Sequence, residues 1–152
     1  MANIGDILLL QQSDFADNIA VEITMTGGAG GITANRFVYT SANNTVLHAD
    51  ASADATARSI GVAENAIAAA ATGVIKVAGL VSVFFSAGLT AINPNEPVFL
   101  SETAGEATNV APTTSGSIQQ VMGYIKDAAG YNNGAGSVHE ITLYNGRRYE
   151  NP

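Results

Sequence analysis

Apolar and polar residues alternate along most of this chain, and the alternation occurs in two similar sets about sixty residues apart. The first set covers residues 36–41, 59–63 and 72–77, and the second covers 97–101, 121–125 and 136–143. A period of two is typical of strands with one buried face, and Gly-, Asn- and Pro-containing turns separate the runs. The pattern predicts an all-β fold, either a compact β-barrel or a β-sandwich, built from two similar β units.

The chain is long enough for one such domain without a second. A chain of 152 residues buries about 68–70% of its unfolded surface. We therefore predict a single β-rich domain over 1–152, with an extended N-terminal arm at 1–20, a first β unit at 34–80 and a second at 95–144. Strand order is left open between two packed sheets and one continuous barrel.

Three segments carry more specific predictions. Residues 76–85 predict one strand that is interrupted at Gly79 by a bulge or sharp bend. The alanine-rich stretch 64–72 has high helix propensity but is too short for a stable helix, so we expect a turn or a single helical turn. The sequence Glu-Ile-Thr plus an aliphatic residue occurs at 22–25 and at 140–143, which predicts paired or equivalent strands.

Composition favours a protein that associates with others. Only 12% of the residues are charged, against about 25% in an average soluble domain. A surface with few charges is weakly protected against association, so an oligomer or a lattice is favoured over a monomer. The net charge of -7 lacks the basic footprint that phosphate backbones need, so we expect no nucleic-acid partner. No apolar run approaches a membrane span or a signal sequence, so we expect no membrane partner and synthesis in a cytoplasm.

Candidate chemistry is sparse, and we expect the chain not to be an enzyme. It contains no cysteine, and its two histidines, His48 and His139, are too few for a zinc site on their own. His139 is expected to point outward from an alternating strand. Asp50 and Asp54 offer oxygen ligands without the spacing of a calcium loop. No serine lies in a nucleophile elbow, and we expect no cofactor.

Two segments are candidate contact surfaces. Adjacent strand residues point to opposite faces, so one of Phe84 and Phe85 faces outward and forms a subunit contact, unless both faces are covered within the fold. The other segment lies in the N-terminal arm, which is either a strand donated to a neighbour or an ordinary first strand. The candidate capsid or subunit contacts are Ile4, Ile7, Leu8, Leu9, Leu10, Phe84 and Phe85.

The rhythm of short strands and glycines over residues 34–127 resembles the small β-rich capsid decoration, or cement, proteins of tailed bacteriophages. It is carried by Ala34-Asn35-Arg36-Phe37-Val38-Tyr39, Ile60-Gly61-Val62-Ala63, Gly73-Val74-Ile75-Lys76-Val77-Ala78-Gly79, Pro97-Val98-Phe99-Leu100 and Gly123-Tyr124. Residues 136–152 lie outside the matched stretch. The family has no catalytic motif, so the resemblance transfers no functional residue.

The resemblance implies a structural virion protein made in the host bacterial cytoplasm. It would bind the outer surface of the expanded phage head, commonly as a homotrimer, and clamp neighbouring major capsid subunits. Many identical weak contacts on a lattice would add through avidity, and binding to one lattice state would stabilise that state. The alternative is a phage fibre or adhesin module that binds host-surface carbohydrate or protein, for which polar β surfaces are equally suitable.

Overall fold

The computed structural model describes residues 21–86, 93–126, 137–144 and 148–152. These residues form ten strands and no helix, which confirms the all-β prediction. The predicted N-terminal arm lies outside the described residues. The strands are β1 (Val21–Gly27), β2 (Arg36–Ala42), β3 (Thr45–His48), β4 (Ser59–Ala63), β5 (Thr72–Phe85), β6 (Pro97–Leu100), β7 (Ala107–Thr108), β8 (Ile118–Ile125), β9 (Ser137–Leu143) and β10 (Arg148–Glu150).

The strands close into two rings that share β5. The first ring is a five-stranded barrel in which β1, β3, β2, β4 and residues 72–78 of β5 pair in that circular order. The second ring has the circular order β9, β8, β6, β7 and then residues 79–85 of β5. It closes because this half of β5 pairs with both β7 and β9. Strand β10 adds to β8 outside this circuit. Closure removes most free strand edges.

The two rings repeat one pairing scheme, with β2, β3, β4 and the first half of β5 equivalent to β6, β7, β8 and β9. The parallel pair β1–β3 matches the parallel pair between the second half of β5 and β7. The register matches as well: Val62 pairs with Lys76 in the first ring, and Tyr124 pairs with Thr142 in the second. The two similar sets in the sequence therefore fold as structural repeats.

Strand β5 passes from one ring to the other at Gly79, which has a positive φ of 97°. Strand β1 pairs with β5 as far as Ala78, and β9 pairs with it from Gly79 onward. The predicted irregularity at this glycine is therefore present. The prediction that 22–25 and 140–143 are paired or equivalent strands is wrong, since β1 and β9 do not pair, and β1 corresponds to the second half of β5 whereas β9 corresponds to the first half. The sequence that they share reflects only the alternation of polar and apolar residues in both strands.

The alanine-rich stretch forms a turn, without a helix. Ile67 bridges Ile32 across the end of the first ring, and the Ala71 amide donates to the Ala68 carbonyl at 3.0 Å. Ala70 adopts a positive φ of 61°, which an α-helix does not contain. Helix propensity is a weak prior and here yields to the tertiary pairing.

Each ring has its own apolar core. The smaller cluster fills the first ring and consists of Met25, Ile32, Val38, Val46, Ala63, Ile67 and Ile75. The larger cluster fills the second ring and extends to the junction between the rings. It consists of Phe37, Ala49, Ala51, Ala57, Val62, Val81, Val83, Phe85, Val98, Leu100, Ala107, Ile118, Met122, Ile125, Ile141 and Leu143.

Candidate interaction surface

The predicted contact pair Phe84–Phe85 lies on the half of β5 that belongs to the second ring. Phe85 is fully buried in the core, where the His139 ring meets it edge-on at a centroid distance of 5.4 Å. Phe84 points to the other face and is half-buried, because the Arg36 guanidinium carbon lies 3.8 Å from the centre of its ring. The role of both residues as contacts remains a prediction.

The remaining predicted contacts cannot be placed. Ile4, Ile7, Leu8, Leu9 and Leu10 lie outside the described residues, and their role stays a prediction.

Arg36 lies at the junction between the two rings. Its Nη1 atom is 3.5 Å from Glu106 Oε1, which is close enough for an ion pair. The Phe37 amide donates to the Gly105 carbonyl at 2.9 Å, and the Gly105 amide donates to the Ala49 carbonyl at 2.6 Å. The hairpin between β6 and β7 therefore rests on β2 and covers the outer side of the first ring.

Aromatic side chains gather on the outer side of the second ring, on a surface that we call the tyrosine face. It comprises Phe99, Val121, Tyr124, Tyr144 and Tyr149. The pairing of β6 with β8 produces it: Val98 and Leu100 point into the core, so Phe99 points out, and its partner Val121 lies on the same side. Tyr124 is the partner of Pro97 and joins this side across an irregularity in the register. Tyr144 continues the outward series of β9, and Tyr149 pairs with Gln119 on the same side of β8.

Two of these tyrosines interact with each other. The rings of Tyr124 and Tyr144 are parallel to within 4°, with centroids 5.9 Å apart. A hydrogen bond to Tyr124 raises the pKa of the Tyr144 hydroxyl, and the charge of the same neighbour adds to the effect. Tyr124, Tyr144 and Tyr149 are nevertheless 43%, 47% and 63% exposed. A stacked pair of tyrosines this exposed is typical of interface surfaces.

The equivalent side of the first ring is covered within the chain. Phe37 and Val62 form the cross-strand pair that corresponds to Pro97 and Tyr124, and both are fully buried in the larger core cluster. The second ring therefore covers this side of the first ring. The equivalent side of the second ring carries the tyrosine face and is exposed. The tyrosine face is a surface for which the repeat supplies no partner among the described residues.

Pro97 changes the backbone hydrogen bonding that is available on this side of the second ring. The Phe37 amide donates to Gly105 at the covered junction, whereas Pro97 stands at the equivalent position and has no amide hydrogen. A third ring could not dock on the second with the same backbone contact. The tyrosine face is therefore suited to a partner other than another unit of this repeat.

The histidines and loop carboxylates have local partners. His139 points inward beside Phe85, so its predicted outward orientation is wrong. His48 Nε2 accepts the Thr33 amide at 3.0 Å, and burial, followed by the nearby Arg36, lowers its pKa. Asp50 Oδ1 accepts the Thr56 hydroxyl at 3.0 Å. The described part of the chain contains no cluster of three His, Cys, Asp or Glu that could hold a metal.

Sequence reasoning missed the tyrosine face. Alternation in β9 places Thr142 and Tyr144 on the same side of the strand, but it does not say whether that side faces the core. The approach of Tyr124 depends on the register between β8 and β9, which no local pattern specifies. None of the described residues belongs to a helix long and apolar enough to cross a membrane.

Comparison with known proteins identifies similarity of fold to solved structures. No family model and no curated protein matches the chain. The N base of the head fiber gp8.5 of bacteriophage phi29 superposes with a TM-score of 0.50 and 16% identity. The alignment covers 83% of this chain and 95% of that one. The likeness is one of fold.

Proposed function

We propose that this chain is a structural protein of a tailed-bacteriophage virion, located on the outer surface of the expanded head. There it binds the major capsid protein, as a homo-oligomer for which we favour a trimer, and clamps neighbouring capsid subunits. The observation that carries the proposal is the fold shared with the phi29 head fiber base, which extends over almost all of that chain. A base of a head fiber is a head-associated part, so the likeness favours this location.

The tyrosine face is the capsid-binding surface in this proposal. It is rich in aromatic residues, as interface centres are, and no other unit of the repeat covers it among the described residues. Pro97 removes the backbone donor that a further ring would need, which favours a partner of a different fold. Because only 12% of the residues are charged, such a contact would remove few charged groups from water.

The clamping role predicts that heads with and without this protein differ in their resistance to rupture. A ligand that binds only the expanded shell stabilises that state by mass action, so complete heads should withstand heat and osmotic shock better than heads without the protein. Equal survival of the two would contradict the clamping role. Electron microscopy with an antibody against the chain tests the location directly, since label over the head supports it and label at the tail tip does not.

A sedimentation assay tests the surface. The full chain is mixed with expanded heads that lack it, and Tyr124→Ala with Tyr144→Ala is compared with the wild type. Aromatic anchors commonly cost about 2 kcal/mol or more when truncated, so the double variant should lose roughly 30-fold or more in affinity. Val74→Ala, on an exposed residue of the first ring, is the matched control and should sediment as the wild type does. Wild-type binding by the double variant would exclude the tyrosine face.

A further inference from the structure

An open cleft of about 280 Å³ lies beside the β6–β7 hairpin and shares no residue with the tyrosine face. Its walls come from the end of β5, the hairpin and the segment that follows β7. Five of the nine lining residues carry a hydroxyl group, a set that we call the hydroxyl wall, and three consecutive residues, 110–112, are apolar, a set that we call the apolar wall. The lining residues are Ser86, Ser101, Glu102, Thr103, Thr108, Val110, Ala111, Pro112 and Thr113.

The hydroxyl wall is held in place by its own hydrogen bonds. Ser86 Oγ donates to Ser101 Oγ at 2.9 Å, and the Thr103 amide donates to the same oxygen at 3.1 Å. Thr108 Oγ1 accepts the Val110 amide at 3.1 Å. Ser101 Oγ therefore uses both of its lone pairs within the wall, whereas the Ser86 oxygen, which donates its hydrogen, and the Thr108 oxygen retain acceptor capacity.

Among the described residues that line the cleft, Glu102 is the one charged side chain, and none is cationic. Glu102 is exposed, and its Oε2 atom accepts the Thr114 hydroxyl at 3.1 Å. A carboxylate accepts strong hydrogen bonds from hydroxyl groups. It also repels anions, and the net charge of -7 adds to that repulsion. Phosphate and acidic sugars are therefore poor ligands for this site.

The apolar wall provides groups that can pack against the C–H surface of a ligand. Val110 is 50% exposed beside Ala111 and the buried ring of Pro112. A pyranose ring presents hydroxyl groups at its edge and C–H groups on its faces, so it matches a cleft with one hydroxyl wall and one apolar wall. Ligand sites generally combine apolar lining with a few convergent polar groups, and this volume lies just below the roughly 300–1,000 Å³ of drug-sized sites.

We propose that this cleft binds a single neutral sugar residue, with Glu102 and the hydroxyl wall accepting its hydroxyl hydrogens and Val110 packing against its ring. The site is independent of capsid binding, because its residues are not part of the tyrosine face. It would give a head-bound protein a second, outward-directed activity. A ligand of this size binds in the millimolar range, and repetition over a lattice would raise the effective affinity through avidity.

Nuclear magnetic resonance titration of the full chain tests the site. The probes are the methyl glycosides of glucose, galactose and N-acetylglucosamine, with methyl glucuronide as the anionic comparison. We expect saturable shifts of the amides that line the cleft with at least one neutral glycoside, and weaker binding of the glucuronide. Glu102→Gln should weaken the neutral ligand about tenfold through loss of a charge-assisted hydrogen bond. Val110→Ser should weaken it severalfold through loss of the apolar wall.

The matched control is Val74→Ser, which makes the same change on an exposed valine of the first ring. It should bind the glycoside as the wild type does. The proposal is overturned if no neutral glycoside gives saturable shifts in the cleft, if the glucuronide binds as tightly as the glucoside, or if Val74→Ser and Val110→Ser lose affinity equally. Val110→Ser should still sediment with heads, so a failed sugar site and a failed capsid site give different results.

Discussion

Two glycines at equivalent crossing points provide the sharpest test of the repeated architecture. A Cβ atom built on Gly61 would lie 2.2 Å from the Lys76 carbonyl oxygen, and one built on Gly123 would lie 2.2 Å from the Thr142 carbonyl oxygen. Carbon–oxygen contacts between strands settle at about 3.3–3.6 Å, so an alanine would push each pair of strands apart by roughly 1 Å. We expect Gly61→Ala and Gly123→Ala to destabilise the protein by similar amounts.

The size of the effect follows from what blocks the methyl group. Overpacking a well-filled site costs about 1–3 kcal/mol, and the upper half of that range applies here because the obstacle is backbone rather than a flexible side chain. For a chain of this length, 1 kcal/mol lowers Tm by about 2–4 °C, so each variant should unfold roughly 5–10 °C below the wild type. Gly61→Ala opens the first ring and Gly123→Ala opens the second.

Thermal and urea unfolding, followed by circular dichroism, measure both variants. Gly30→Ala is the control, because Gly30 has a φ of +86° and no atom within 4 Å of a built Cβ. Gly30→Ala should therefore cost about 1–2 kcal/mol through backbone conformation alone, whereas Gly61 and Gly123 have no positive φ, so the cost of their alanine variants is steric. The reasoning is refuted if Gly123→Ala stays within about 0.5 kcal/mol of the wild type, or if only one of the two crossings is sensitive.

Three further predictions concern the junction, the pH dependence and the C-terminus. Burial lowers the pKa of His48 and His139 from the usual 6.5, so the unfolded chain takes up protons first, and urea midpoints should fall as pH decreases from about 7 to about 5. Arg36→Lys loses the planar group over an aromatic ring and should cost about 0.5–1 kcal/mol in urea unfolding. Asn151→Ala removes bonds from its side chain to Pro112 and Ser117 and should cost about 1–2 kcal/mol, with faster amide exchange in β10.

Strand content and repetition could be predicted from the sequence because both are local patterns. Alternation located β2, β4, β6 and β8 closely, and Gly79 signalled the irregularity in β5. The absence of a helix at 64–72 was also predictable, because six alanines and isoleucines cannot outweigh the cost of nucleation. These features depend on residues close to one another in the chain.

The closed rings and the tyrosine face could not be predicted in this way. Both depend on which strands pair and in which register, and shifting a register by one residue exchanges the buried and exposed sides of a strand. His139 illustrates the problem, because alternation alone gives two opposite series and does not say which one faces the core. Tyr124 and Tyr144 come together only because β8 and β9 pair through Thr142.

The repeat also explains why the tyrosine face is exposed among the described residues. The second unit covers the first at Phe37 and Val62, and the described residues contain no further unit that covers the second. If the second unit presented the same surface as the first, a further copy of the unit could bind to it. Pro97 and the tyrosines replace that surface with one that cannot accept the same backbone contact. Such a surface disfavours stacking of like units and suits the different partner that the proposed function requires.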